Sequence, residues 1–192
     1  SLLTRRRFAT ALAAGGLVIG FHTATRSWAV DARAATNPGF AGLPPLDGTL
    51  HLDDETRAAY GEDFGQIVYE RPLAVLRPES VEDIARMVRF ARRHDLRLVA
   101  RGAGHTTYGQ AQATGGIIVD LGPLDNIAAL GPDRVTVGAG LRWRALLAAT
   151  LARGLTPPVL TDYLNLSVGG TLSVGGIGGM SFRHAAQRDH VP

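Results

Sequence analysis

Arg101-Gly102-Ala103-Gly104-His105-Thr106-Thr107-Tyr108-Gly109-Gln110 is the most informative stretch of this chain, and it runs on through Gly115-Gly116 into Ile117-Ile118-Val119-Asp120-Leu121. It follows the apolar run Leu96–Ala100, which reads as a strand broken by Gly102–Gly104. A strand ending in Gly-x-Gly raises the dinucleotide-binding turn, which needs a third glycine three residues on, where a helix opens. Position 107 is Thr and no helical period follows. Gly138-Ala139-Gly140 fails in the same way, with Trp143 at the third place, and a chain without lysine has no Walker loop. Both standard nucleotide motifs are excluded.

The glycines still need a reason. Consecutive tight turns point backbone N–H groups into a concave anion site, and small residues let a pyrophosphate approach the chain. Three segments qualify: Gly102–Gln110, Gly138–Gly140 and Gly169–Gly179. Any one alone reads as a tight turn between strands. Three together, one holding a histidine among small residues, favour a bound phosphate-bearing cofactor.

Working outward, Leu73–Leu76 lies between Pro72 and Pro78 and fits a strand. Ser80 followed by Asp83 can cap a helix whose side-chain oxygen takes an orphan N–H. Val81, Ile84, Ala85, Val88 and Ala91 recur at helical spacing, with Glu82, Arg86 and Arg93 off that face. Ile117–Leu121 and Val135–Val137 give further strands. A helix over about Arg142–Arg153 is stopped by Gly154. Short strands mixed with two helices predict an α+β domain from Ile67 to the end. The proline- and glycine-bearing residues 35–66 read as a linker or N-terminal extension.

Composition narrows the function. Of 192 residues, 45% are hydrophobic and 19% charged, the profile of a chain that buries a core. The formal charge is +3, but residues 1–29 carry four arginines and no acid, leaving 16 basic against 17 acidic groups, net −1. Nucleic-acid binding loses its electrostatic argument. There is no cysteine, which excludes disulfides, thiolate metal sites, cysteine nucleophiles and a cysteinyl cofactor link. His184 and His190 lack the spacing of a metal site, His51 and His94 read as surface residues, and no metal is expected.

The first 34 residues read as an export signal. Arg5-Arg6-Arg7 precedes an apolar run from Ala9 to Phe21, and Ser27-Trp28-Ala29 supplies small residues at a cleavage point, with Ala32-Arg33-Ala34 as an alternative. The run is about 13 residues against the roughly 20 that span a bilayer, so no stable membrane anchor is expected. Thr4-Arg5-Arg6-Arg7-Phe8 resembles the twin-arginine signal, which carries folded, cofactor-loaded proteins; an ordinary arginine-rich secretory signal is the alternative. Either route implies a periplasmic or extracellular destination.

The stretch from Arg101 to Leu121 resembles the flavin-attachment segment of the vanillyl-alcohol oxidase type, or PCMH-type, flavoproteins. Thr161-Asp162-Tyr163-Leu164-Asn165-Leu166-Ser167-Val168-Gly169-Gly170-Thr171-Leu172-Ser173, continuing through Ile177-Gly178-Gly179 to Phe182-Arg183-His184 and Gln187, is most similar to the cytokinin dehydrogenases. The likeness covers roughly residues 67–192. It implies a PCMH-type FAD-binding domain, with FAD attached through the imidazole of His105. It also implies that Gly102, Ala103, Gly104, Thr106, Gln110, Ser167, Ser173 and Ile177 line the cofactor. Asp162 matches the acid that meets the substrate amine near flavin N5, where a carboxylate can accept the N–H proton as hydride leaves the adjacent carbon.

By that resemblance the reaction is oxidation of a C–H beside an amine or alcohol of a small-molecule substrate, with oxygen or a quinone as electron acceptor. Oxidation of carbohydrates or alcohols on the same scaffold, or a non-catalytic exported flavin-fold module, are the alternatives. Three departures stand out: Ala103 replaces the family's arginine, Thr106 replaces serine, and Ser173-Val174-Gly175-Gly176 replaces Ser-Asn-Ala-Gly. Since family members continue well beyond this length, the chain is expected to be an N-terminal portion that lacks the substrate domain and is inactive alone.

Overall fold

The computed structural model describes residues 17–22, 27–31 and 40–191. The expected export signal falls largely outside them. Within it, the backbones of Leu17–His22 (β1) and Ser27–Asp31 (β2) pair antiparallel. The described residues fall into two compact units, one within residues 17–100 and 106–120, the other within 101–105 and 121–191.

The first unit is organised by two apolar strands that no polar residue interrupts. β4 (Ala74–Arg77) and β6 (Ile117–Asp120) pair in parallel, Val75 opposite Ile118, and their side chains are buried except at Arg77. A strand covered on both faces reads as a continuous hydrophobic run, which is why both were legible. β3 (Thr49–His51) adds antiparallel to β4, with Leu50 opposite Leu76, and β5 (Leu98–Arg101) flanks β6, giving the order β3-β4-β6-β5.

β3 belongs to the stretch expected to be a linker. From Phe40 onward that expectation is corrected. Phe40, Leu43, Leu46, Leu50 and Leu52 are buried, and helix α1 (Asp54–Ala59) follows, capped by the Asp53 carboxylate on the Thr56 amide. Prolines and glycines set the turns of this segment while its leucines fill the core. Residues 35–39 lie outside those described.

Helix α2 (Val81–Arg93) starts as expected, with Ser80 accepting from the Asp83 amide at 3.1 Å. Its buried face is a correction: Asp83, Met87, Phe90 and Ala91 point inward, while Val81 and Val88 are exposed. The phase is set by two contacts invisible to hydropathy. The buried Asp83 carboxylate accepts from the Asp47, Gly48 and Glu79 amides at 2.7, 2.8 and 3.1 Å. The Phe90 ring stacks on Phe40 at 6.1 Å. Gly48 is needed there, since a Cβ would lie 2.2 Å from the Arg77 carbonyl oxygen.

A turn of this unit, Asp63-Phe64-Gly65-Gln66, holds the loop that follows residue 105. Asp63 Oδ2 accepts from Thr106 Oγ1 and the Gly109 amide, both at 2.8 Å, while Oδ1 accepts from the Gly65 amide at 3.1 Å. Burial is the largest single influence on this carboxyl and pushes its pKa up. The Thr106 hydroxyl and the Gly109, Gly65 and Gln66 amides together outweigh it and hold the pKa below the ordinary carboxylate value.

In the second unit, β7 (Ile127–Leu130) and β8 (Val135–Val137) form an antiparallel hairpin. Helix α3 (Trp143–Leu151) follows, and Gly154 ends it at φ +70°, a left-handed conformation that favours glycine. The observed order from β4 to α3 is βαββββα, the α+β class expected. Residues 168–179, read as a glycine loop, instead open with helix α4 (Val168–Ser173) and continue to α5 (Ser181–His184) and a 3-10 turn (Gln187–His190). Leu141, Trp143, Leu146 and Val168 form the core, with Leu160, Leu164, Leu166 and Leu172 packed on it.

Two outcomes follow. Asp83→Ala strips three amides of their acceptor and should cost about 2–4 kcal/mol in urea unfolding. Asp63 binds its proton less readily folded than unfolded. Its contribution to stability is therefore complete above the ordinary carboxylate pKa and lost as pH falls through the depressed value. Asp63→Asn should flatten that acid limb of the stability–pH curve, measured by thermal unfolding across pH.

Candidate functional site

In the second unit the three glycine segments meet, and the missing side chains are what let them. A Cβ on Gly102 would lie 2.0 Å from Ser167 Oγ, and one on Gly170 2.8 Å from the same oxygen. A Cβ on Gly169 would lie 2.7 Å from that of Ala139. Glycines at two consecutive places in α4 each cost about 1 kcal/mol of helix propensity, and here they permit contact that alanine would block.

Backbone bonds fix this arrangement. Val168 N donates to Leu141 O at 2.8 Å, Gly169 N to Ala139 O at 2.9 Å, and the first amides of α3, Trp143 and Arg144, to Leu166 O and Leu164 O at 3.1 and 2.9 Å. Trp143 Nε1 donates to Thr171 Oγ1 at 2.8 Å. Gly138 and Gly140 have a structural duty, because a Cβ on either would lie within 2.1 Å of the Leu124 or Leu121 carbonyl oxygen. For that segment the reading as a tight packing turn accounts for the glycines.

Ser167 is 2% exposed, and among the described residues its Oγ has no hydrogen-bond partner. The other two buried side-chain atoms in that condition are the amide oxygens of Gln112 and Gln187, whose Nε2 atoms are bonded to Val68 O and Val159 O. Ser167 has no such second bond, so its hydroxyl carries the full cost of desolvation. A buried hydroxyl left unpaired costs about 1–3 kcal/mol, which marks a place where a polar ligand atom fits.

The other expected residues sort themselves around this point. Gly104 sits at φ +68°, and a Cβ there would lie 2.6 Å from the Arg101 guanidinium. Ala103 is half-buried. His105 is exposed and its ring stacks on Tyr163, centroids 5.4 Å apart with 29° between the planes. Asp162 is exposed on the adjoining bend, which Thr161 Oγ1 braces by donating to Tyr163 O at 3.0 Å. Ser173 Oγ donates back to Gly169 O at 2.8 Å, and Ile177 is 79% exposed. Thr106 and Gln110 belong to the other unit, where Thr106 is bonded to Asp63 and Gln110 Oε1 accepts from the Tyr108 amide at 3.0 Å.

Two residues of consequence escaped the sequence reading. Tyr163 was quoted only as part of a motif, and its ring contact with His105 spans 58 positions. Asp63 sat in a supposed linker. Among the described residues no cluster of His, Cys, Asp or Glu could hold a metal ion, and no helix is long and apolar enough to cross a membrane.

A family model for the FAD binding domain matches residues 72–192. The chain belongs to that family. An uncharacterized oxidoreductase from the fasciation locus of Rhodococcoides fascians is 43% identical over 146 residues, covering 76% of this chain and 33% of the relative. Cytokinin dehydrogenase 7 of Oryza sativa subsp. japonica is 41% identical over 162 residues (80% and 31%), and cytokinin dehydrogenase 4 of Arabidopsis thaliana is 38% identical over 165 (76% and 32%). The chain thus spans about a third of the length of the curated relatives it matches.

The fold is also that of 6-hydroxy-D-nicotine oxidase from Arthrobacter nicotinovorans, at a TM-score of 0.70 and 24% identity, over 78% of this chain and 33% of that one. The α+β FAD-binding fold expected from the sequence is therefore the one observed. The residues fit the cofactor the family binds: a glycine-walled approach and a buried hydroxyl with unspent hydrogen-bonding capacity suit a phosphate or flavin oxygen.

Ser167→Ala removes the unpaired hydroxyl and should raise the stability of the flavin-free chain by about 1 kcal/mol in urea unfolding. Gly102→Ala should destabilise it, and by less in the Ser167→Ala background, since the clash is with the oxygen. A double-mutant cycle reads this coupling.

Proposed function

We propose that this chain is the flavin-holding portion of an FAD-dependent oxidoreductase of the cytokinin-dehydrogenase kind, with FAD joined covalently to His105. The observation that carries the reading is the buried, unpartnered hydroxyl of Ser167 facing Gly102, three residues before an exposed histidine, in a chain of the FAD-binding family. Gly102, Ala103, Gly104, Thr106 and Gln110 supply a loop the cofactor can approach closely. Ser167 supplies a hydrogen bond, and Ser173 and Ile177 contact the cofactor from the second segment. The Tyr163 ring, stacked on the His105 imidazole, restricts its motion.

The bound flavin supplies a two-electron acceptor for hydride from a C–H next to an amine or alcohol. Asp162 acts as base: its carboxylate takes the N–H or O–H proton of the substrate, so that loss of hydride and proton leaves an imine or carbonyl product. An exposed carboxylate on a braced bend is reachable by a substrate, which this role requires. The final electron acceptor would be oxygen or a quinone. We also place the protein outside the cytoplasm, on the strength of Thr4-Arg5-Arg6-Arg7-Phe8.

Protein from a flavin-replete host, run on a denaturing gel after acid treatment, should fluoresce under ultraviolet light. His105→Ala should abolish the band. Flavin released on denaturation would retain the oxidoreductase and remove the tether, and absence of flavin from the native protein would remove both. In the complete protein, Asp162→Asn should lower kcat on isopentenyladenine by roughly a hundredfold with flavin content unchanged, the size of a lost general base. Turnover of a sugar panel in preference to the amine would favour the carbohydrate or alcohol oxidase reading.

A further inference from the structure

We propose that Asp63 is a positioning residue for the attachment of FAD at His105, fixing the backbone of the loop on the histidine's C-terminal side. The inference rests on the proposed tether and goes beyond it, to a residue 42 positions upstream.

Asp63 is 5% exposed, and two of its bonds fall on this one loop, to the Thr106 hydroxyl and the Gly109 amide. The turn that presents it is joined to the same loop by backbone. Gly65 N donates to Thr106 O at 3.1 Å, and a Cβ on Gly65 would lie 2.2 Å from Thr107 O. Gln66 closes the turn at φ +53°, a left-handed conformation that costs a residue with a side chain about 1–2 kcal/mol. Gly109 at φ +76° bends the loop back so that its amide reaches Asp63. A buried carboxylate, a glycine seated on the opposing backbone and a strained residue all converge on the four residues after His105. The exposed His105 ring stacks on Tyr163, and its backbone continues directly into the loop that Asp63 holds.

Aim matters because attachment joins two groups that must meet in line. An imidazole nitrogen of His105 bonds to the 8α carbon. One proton leaves that carbon and one leaves the imidazole N–H, and the two electrons released pass to dioxygen, giving hydrogen peroxide. The chain's part is to hold the nitrogen on the carbon.

Flavin-free protein is mixed with excess FAD in air, and the gain of one FAD by the polypeptide is followed by mass spectrometry. Binding before attachment is measured by flavin fluorescence quenching, and folding by thermal unfolding. Asp63→Asn cannot accept all these bonds. It should slow attachment by roughly tenfold to a hundredfold, as displacing a reacting group by about an ångström does, while reversible FAD affinity stays within about threefold. Asp63→Glu, which keeps the carboxylate, should recover part of the rate. If Asp63→Asn does not fold, Gly65→Ala, whose Cβ would meet the Thr107 carbonyl oxygen, displaces the same turn from the loop and should slow attachment selectively. Attachment at the wild-type rate by a folded variant overturns the role of Asp63 and leaves the tether standing. A wild-type protein that never gains FAD mass overturns the tether, and this proposal with it.

Discussion

The second unit depends on backbone meeting backbone where side chains would forbid it. Gly102 against Ser167, Gly169 against Ala139, and Gly138 and Gly140 against the 121–124 carbonyls are four approaches within reach of a single methyl group. At Gly169 helix propensity is given up for proximity. Together they bring residues 102, 138–140 and 167–170 close to one another and leave a hydroxyl there that has no hydrogen-bond partner among the described residues. The energetic signature is that of a binding site: local stability given up where a ligand can restore it.

The sequence showed the fold best where burial is two-sided or punctuation is strong. β4 and β6 are apolar up to their last residues, Arg77 and Asp120, β8 begins and ends where its residues predict, and Gly154 ends α3 as a left-handed cap. It failed where tertiary contacts outrank local pattern. Val81 and Val88 belong to a helical stripe but face solvent, because the phase of α2 follows the Asp83 carboxylate and Phe90. Val168–Ser173 is helical despite two glycines, because what glycine costs the helix is offset by contact with Ala139. Residues 40–66 looked like a linker because prolines and glycines dominate their appearance, whereas five buried leucines and phenylalanines decide their place.

The site was legible in a different way. Motif resemblance picked out Gly102, His105, Asp162 and Ser167, and for Gly102 and Ser167 the structure supplies the physical reason, a contact that leaves no room for a Cβ. Periodicity and spacing could not have found Asp63 or Tyr163. Their partners lie 43 and 58 positions away, and neither has a local pattern that sets it apart from a turn acid or a surface aromatic. Ser173 shows the opposite limit: the motif includes it, yet its donor is spent on the helix backbone.

The way the chain is apportioned has a consequence for inheritance. It passes from one compact unit to the other after residue 100, returns after 105, and leaves again after 120. Neither unit is a continuous stretch of gene, and the five residues ending in His105 are an insertion of one unit into the other. No single crossover within the coding sequence can transplant either unit intact. Recombination that shuffles ordinary domains as cassettes would cut this one through the loop that carries His105, so the two must be inherited, and diversify, as one piece.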